Sequence, residues 1–259
     1  MKIAVCLKVV PSRESRYQLN ASATWIDESQ VSFQASECDE YALEEALKLK
    51  ERHGGEVVIL SIGPTQSEKV IRKGLAMGAD RAVLIQDEER RVSDPLLAAR
   101  LLAEIGAQEG FDLILTGTQS DDYGWGQTGV MLAELLDWPH ATIVMEIEAD
   151  PDRSSLKVLR EMESGWFQRL ELPLPALLTI QAGISTIRYA SLKGIMQAKN
   201  KEIRKVNLEE LSSDEAGQTH LKVVSLAFPE AKSQAILLEG EPGQVAAELV
   251  ERLKKDRVL

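Results

Sequence analysis

Residues 1–117 alternate short apolar runs with amphipathic segments of helix length, and this alternation limits the fold more than any other feature of the chain. Residues 2–10 form a β-branched apolar run closed by Pro11 and Ser12, which reads as a buried strand. Residues 56–62 and 82–86 read as further strands, and the run from Leu113 to Leu115, bounded by Gly117, as another. The segments between them carry helix signals. Ser36 stands as an N-cap before Tyr41, Ala42, Leu43, Ala46 and Leu49, which share helical spacing, and Gly54-Gly55 ends that helix. Residues 66–77 repeat the pattern, with Gly78 near the C-cap. Ser93 or Asp94 caps the next helix, with Pro95 in its first turn and Gly110 at its end. Only the polar stretch 13–34 breaks the rhythm, as a hairpin or an irregular excursion. Short strands separated by helices imply an α/β fold with a mostly parallel, doubly wound, Rossmann-like sheet and right-handed crossovers.

After residue 141 the pattern changes. Residues 141–148, 156–163, 166–172 and 176–181 are strand candidates with no long helices between them, and turn residues lie at 150–154 and at Ser164-Gly165. They are expected to add antiparallel strands to the sheet. Residues 183–205 are polar and basic; a solvated loop is the default reading, and contact with a negatively charged partner the sharper one. A short helical piece follows Asn207, then a Ser/Asp/Gly-rich linker near 212–218 and a late strand at 221–226. A final helix over 241–255 has Val245, Ala246, Leu249, Val250 and Leu253 on one face. The division expected is a nucleotide-binding unit over 1–182, a recognition segment over 183–205 and a C-terminal arm over 206–259.

The net charge of −11 argues against nucleic acid as a partner. Two cysteines, Cys6 and Cys38, make no disulfide framework, and neither they nor the scattered His53, His140 and His220 have metal-site spacing. The N-terminal apolar run reaches only from Ile3 to Leu7 with no small-residue cleavage site, which does not suit a signal peptide, and no stretch approaches the roughly 20 apolar residues of a membrane span, so a cytoplasmic protein is expected.

The chemistry concentrates after Leu115. A strand, the glycine-bearing loop Thr118 to Gly126 and a helix beginning at Thr128 follow one another, which places free N–H groups and a helix dipole where a phosphate is favoured. Gly124-x-Gly126-x-x-Gly129 also spells the dinucleotide fingerprint, but it lies too far beyond its strand and in the wrong strand–helix turn of the sheet. Gln127 and Thr128 are candidates to donate to a phosphate, and Asp121 and Asp122 to meet an adenine amino group or ribose hydroxyls. Ordinary capping and turn chemistry is the plainer reading of each. Cys6, Ile62 and residues 36–39 are expected to converge on the same crevice. Walker, G-x-S-x-G and H-E-x-x-H motifs are absent, so no catalytic acid, base or nucleophile is assigned.

Several blocks, in order, resemble the β subunits of electron transfer flavoproteins. They are Lys8-Val9-Val10-Pro11, Asp39-Glu40-x-Ala42-Leu43-Glu44-Glu45-Ala46, Leu75-Ala76-Met77-Gly78-Ala79-Asp80-Arg81, Gly117-x-Gln119 with Gln127-Thr128-Gly129, Leu135-Leu136-Asp137-Trp138-Pro139, and Arg188-Tyr189-Ala190-Ser191-Leu192 leading to Ile195-Met196. The resemblance implies a heterodimer with an α subunit that carries the redox-active FAD, and a structural AMP in this chain. It also implies flavin dehydrogenases of the acyl-CoA type as donors and a membrane-bound quinone oxidoreductase as an acceptor. Carried over by matching position, the nucleotide site comprises Cys6, Ser36, Glu37, Cys38, Asp39, Ile62, Gly117, Gln119, Asp121, Asp122, Gly126, Gln127 and Thr128. Partner recognition falls to Arg188, Tyr189, Leu192, Ile195 and Met196, with Leu192 as apolar anchor; otherwise Leu192 is a core residue of a short helix. The family usually has Asn-Pro where Ser36-Glu37 stands. The loop through Tyr123 and Trp125 also differs from the one typical of electron-bifurcating relatives, which hold a second FAD in place of AMP. Retention of Gln127-Thr128-Gly129 points to AMP, with FAD as the alternative. Tyr123 and Trp125 either stack on a base or shape the loop.

Overall fold

A computed structural model of the chain describes residues 1–90, 92–150, 154–211, 219–229 and 235–259. Its elements in chain order are β1 (Lys2–Cys6), β2 (Val9–Pro11), β3 (Phe33–Ala35), α1 (Glu37–His53), β4 (Glu56–Gly63), α2 (Glu68–Met77), β5 (Arg81–Gln86), α3 (Pro95–Glu109), β6 (Leu113–Gly117) and α4 (Thr128–Leu135). Then come β7 (His140–Ala149), β8 (Ser155–Glu161), β9 (Phe167–Pro173), β10 (Ala176–Ile180), α5 (Leu192–Ala198), β11 (Ile203–Asn207), α6 (Leu208–Leu211) and α7 (Pro242–Lys255).

One nine-stranded sheet runs β11-β5-β4-β1-β6-β10-β7-β8-β9. Its central strands β1, β4, β5, β6 and β10 are apolar on both faces because both faces are covered. Ile3, Val5 and Leu7 pack with residues of α1 and α2 such as Leu43 and Leu75. Ala4 and Cys6 face the other way, toward Leu101, Ile105 and Leu132 of α3 and α4. From β1 the chain winds outward through β4 and β5, then returns to place β6 on the other side of β1. The sheet is therefore doubly wound, and its switch point lies between β1 and β6.

Four local expectations need correction. The run 2–10 is not one strand: after Cys6 the N–H of Leu7 still reaches Leu60 O, but the N–H of Lys8 turns to the Asp39 carboxylate. Val9–Pro11 then pairs antiparallel with Phe33–Ala35 in a separate two-stranded sheet. The strands after residue 140 are not uniformly antiparallel. β10 inserts between β6 and β7, parallel to both, and only the β7–β8 and β8–β9 pairs are antiparallel. A return through the β8–β9 hairpin, rather than through a helix, lets β10 rejoin the sheet in this direction. Residues 203–207, read as the end of a basic loop, form β11, an edge strand parallel to β5. Its basic residues point to ion pairs, Arg204 with Glu109 and Lys205 with Glu68. Residues 221–226 are irregular rather than a strand, because no free sheet edge meets them. The linker read at 212–218 and most of the turn at 150–154 lie outside the described residues.

Helix ends follow their sequence signals. Asp94 caps α3, its side chain accepting from Leu96 N, and Gly110 closes that helix in the left-handed region at φ +64°. No residue of α7 is buried, so its apolar side chains lie open along an arm.

Candidate functional site

The chain leaves β1 and β6 in opposite senses, so a crevice opens beyond their C-terminal ends. Its walls are Cys6, Leu7 and Lys8 after β1, Ser61 and Ile62 of β4, Thr116 and Gly117 of β6, the start of α3, and the loop from Thr118 into the first turn of α4. It is a partly open cleft with about 140 Å³ of space accessible to water.

Asp39 clamps the switch point. In the first turn of α1, its carboxylate accepts from Gly117 N at 2.7 Å and from Lys8 N at 2.8 Å, joining the ends of β6 and β1. Burial pushes the Asp39 carboxyl up to about 7, while these N–H groups and the Lys8 charge pull the other way. Gly117 has to be glycine: a Cβ there would lie 2.5 Å from Asp39 Oδ1 and 2.7 Å from Cys38 Cβ. Gly129 works similarly under α4, where a Cβ would meet Thr116 Oγ1 at 2.6 Å. That close approach brings the uncapped start of α4, with Gln127, Thr128 and Gly129, onto the crevice. Ser61 lines the crevice as well, and its hydroxyl is buried with no partner in the protein. An anion facing α4 and a polar ligand group near Ser61 would suit both features.

The residues singled out in the sequence divide into two groups. Cys6, Asp39, Ile62, Gly117, Gln119, Gly126, Gln127 and Thr128 line the crevice. Burial, then the nearby Asp39, pushes the Cys6 thiol far up, so it serves as an apolar wall. Ser36, Glu37, Cys38 and Asp121 instead form scaffolding behind the loop. Asp121 accepts from Glu37 N at 3.1 Å, pairs with Arg13 at 2.8 Å, and donates its own N–H to Ser36 Oγ at 3.2 Å. Asp122 pairs with Lys8 at 2.8 Å on the outer side. Both aspartates are thus committed within the fold.

Aromatic and cationic side chains interleave beside them. Lys8 Nζ lies 4.6 Å from the Tyr123 ring centre, and Tyr123 stands 6.2 Å from both Trp25 and Trp125. Arg90, paired with Glu28 at 2.5 Å, covers Trp25 at 5.6 Å and Phe33 at 5.1 Å. The excursion 13–34 is therefore a brace that fixes the loop. Tyr123 shapes that loop, while Trp125 also lines the crevice. Lys8 falls within the strand end expected at the crevice, whereas Ser61 and Thr116 were not singled out although they lie near strand ends. The Val92-to-Asp94 turn reads in the sequence only as a helix start; folding alone brings it to the crevice.

The segment around α5 occupies a separate surface. Arg188 does not point outward: it bonds Glu44, itself 3 % exposed, at 2.8 Å and also pairs with Glu51, both on α1. Tyr189, Leu192 and Met196 are 97 %, 84 % and 72 % exposed, and Ile195 is about half exposed. Leu192 is the first residue of a short helix but not a core residue. The helix is anchored firmly. Ser191 caps it by accepting from Gly194 N. Arg72 donates to the carbonyls of Ala198 and Lys201, and Lys201 Nζ returns two bonds to Leu75 O and Ala79 O. Gly194 packs so closely on α2 that a Cβ would lie 2.2 Å from Ala76 O. A firmly anchored base thus presents an exposed apolar tip.

No helix among the described residues is long and apolar enough to cross a membrane, and no cluster of metal-ligating side chains occurs among them. Residues 23–211 match the electron transfer flavoprotein domain family. The chain is 37 % identical over 257 residues to the electron transfer flavoprotein subunit beta of Methylophilus methylotrophus, covering 97 % of each chain. It is 38 % identical over 220 residues to that of Bacillus subtilis (strain 168), covering 84 % of each. It is 33 % identical over 257 residues to the mitochondrial one of Arabidopsis thaliana, covering 99 % of this chain and 98 % of that one. A doubly wound sheet with a crevice at its switch point, together with likeness over nearly the full length, shows that the chain belongs to the electron transfer flavoprotein family, among its β subunits.

Proposed function

We propose that this chain pairs with an α subunit that holds most of the FAD, relays electrons from flavin dehydrogenases of the acyl-CoA type, and keeps one AMP in the crevice at the β1–β6 switch point. A membrane-bound quinone oxidoreductase is the acceptor on this reading, and the chain works in the cytoplasm. Residues 1–182 then serve as the nucleotide-binding unit, 183–205 as the recognition segment and 206–259 as the arm toward the α subunit. The observation that carries the nucleotide is the uncapped N-terminus of α4, which faces the crevice at the switch point.

Gln127, Thr128 and Gly129 would hold the phosphate, and Gln119 and Ser61 would meet the polar groups of the nucleoside. The FAD, when bound, supplies the electron-carrying chemistry; this chain positions and selects rather than donating a proton. Arg188 holds the recognition segment on α1, and Leu192, Ile195 and Met196 offer apolar anchors to a dehydrogenase. One observation favours a second reading. The crevice continues past Lys8, Ile62, Val92 and Ser93 into an outer cavity, which leaves room for a larger ligand such as a second FAD.

The test is the nucleotide content of the heterodimer, released with acid and separated by chromatography. One FAD and one AMP support the first reading. Two FAD and no AMP support the second. A chain purified with neither nucleotide nor partner refutes both.

A further inference from the structure

The C-terminal arm does not leave the body directly. Its segment after residue 218 first crosses the outer cavity, where Thr219, Leu221, Lys222 and Val223 form part of the lining. Two hydrogen bonds donated by its backbone N–H groups pin that crossing. At one end, His220 N donates to Asp94 Oδ2 at 2.7 Å. Asp94 is 3 % exposed, lines the inner crevice, and spends its other carboxylate oxygen on Leu96 N at 2.8 Å. Burial raises the Asp94 carboxyl, but the N–H donors of His220, Leu96 and Leu97 outweigh it and hold it below the ordinary value, so the acceptor is ionised. At the other end, Leu226 N donates to Ala23 O at 2.6 Å, on the excursion that Trp25 and Arg90 lock to the loop. The crossing therefore spans from the start of α3 to the brace, over an opening that the inner crevice shares through Lys8, Ile62, Val92 and Ser93.

We infer that residues 219–226 are a strap over the mouth of the crevice, and that a ligand leaves only when the strap lifts from Asp94 and Ala23. The inference rests on the crevice being the nucleotide site. Its physical content is an energetic link: each hydrogen bond that lifting breaks adds to the barrier for ligand release.

Backbone N–H groups make the strap, so proline is the selective probe. His220→Pro removes the donor to Asp94 and Leu226→Pro removes the donor to Ala23; neither residue lines the crevice, and both lie in irregular backbone that needs no helix or strand hydrogen bonds. His220→Ala keeps the N–H and is the control. The full chain, co-purified with its α subunit, is loaded with AMP and the AMP dissociation rate is measured by dilution into unlabelled nucleotide. His220→Pro is expected to release AMP about tenfold faster, the scale of one hydrogen bond to a charged group, and Leu226→Pro severalfold faster. His220→Ala should match the parent. Amide hydrogen exchange across residues 117–128, followed peptide by peptide in nucleotide-free protein, gives a readout that needs no ligand. It should quicken in both proline variants. Unchanged release and unchanged exchange in both overturn the strap. If the parent binds no AMP, the nucleotide reading falls, and hydrogen exchange alone then decides whether the strap closes the crevice.

Discussion

Gly117→Ala tests how the crevice is held. The new Cβ would lie 2.5 Å from Asp39 Oδ1, 2.7 Å from Cys38 Cβ and 3.0 Å from Asp39 N. None of these atoms yields easily. Cys38 and the Asp39 backbone belong to α1, and the Asp39 carboxylate is fixed by bonds at 2.7 and 2.8 Å to Gly117 N and Lys8 N. Relief requires breaking at least one charge-assisted hydrogen bond, about 1.5–3 kcal/mol, and shifting a helix end against the sheet, about 1–3 kcal/mol. A loss of roughly 3–5 kcal/mol is expected, equal to a fall in Tm of about 6–20 °C for a chain of this size. Urea and thermal unfolding of the full chain measure it. Gly243→Ala is the matched control, since a Cβ there meets nothing within 4 Å. Adding Asp39→Ala should remove part of the clash, so the double variant should cost at least about 1 kcal/mol less than the sum of the singles. A Gly117→Ala chain within about 0.5 kcal/mol of the parent, or strict additivity with Asp39→Ala, would refute the clamp.

Other consequences are as direct. Arg188→Met leaves Glu44 buried without its partner; allowing for the partial exposure of the arginine, it should cost about 1–3 kcal/mol and quicken proteolysis near residue 188, read by limited digestion. Leu192→Ala removes a side chain that is 84 % exposed, so stability should stay within about 0.5 kcal/mol, while the rate of reduction by a partner dehydrogenase falls about tenfold or more if this is the anchor. Hydrogen bonding from Arg81 first, opposed by burial and aided by Lys2, holds the Glu109 carboxyl down at about 2. Its folded value lies below the ordinary 4.5, so its contribution is complete above about pH 4.5 and is lost as pH falls toward 2. Acid unfolding of Glu109→Gln should therefore show a flatter limb across that window; an unchanged limb would remove the network around Arg81 from the account.

Much of this protein was legible along the chain, because its strands and helices carry their own periodicity. The Asp94-Pro95 start and the Gly110 end of α3 are local signals, and the structure uses both. The Gly117-to-Thr128 loop was legible for the same reason: a strand, a glycine-bearing turn and a helix start are consecutive. Direction and pairing were not. Nothing in the letters of 176–180 says that β10 lies parallel between β6 and β7, since an apolar strand of that length fits either direction, and the choice is made by which neighbours remain open. The basic residues of 203–207 hid β11, because an edge strand satisfies its charges with acids distant in sequence, Glu109 and Glu68. Side-chain commitments were equally hidden. Asp121, Asp122 and Arg188 look free in the sequence, yet each is spent on an ion pair that only folding creates. The sequence by itself determined most of the elements, the doubly wound class and the family, since these depend on neighbours along the chain. Tertiary structure decided which residues face the crevice, which brace it and what crosses its mouth, since those depend on contacts such as Asp94 with His220, remote in sequence and adjacent only in the fold.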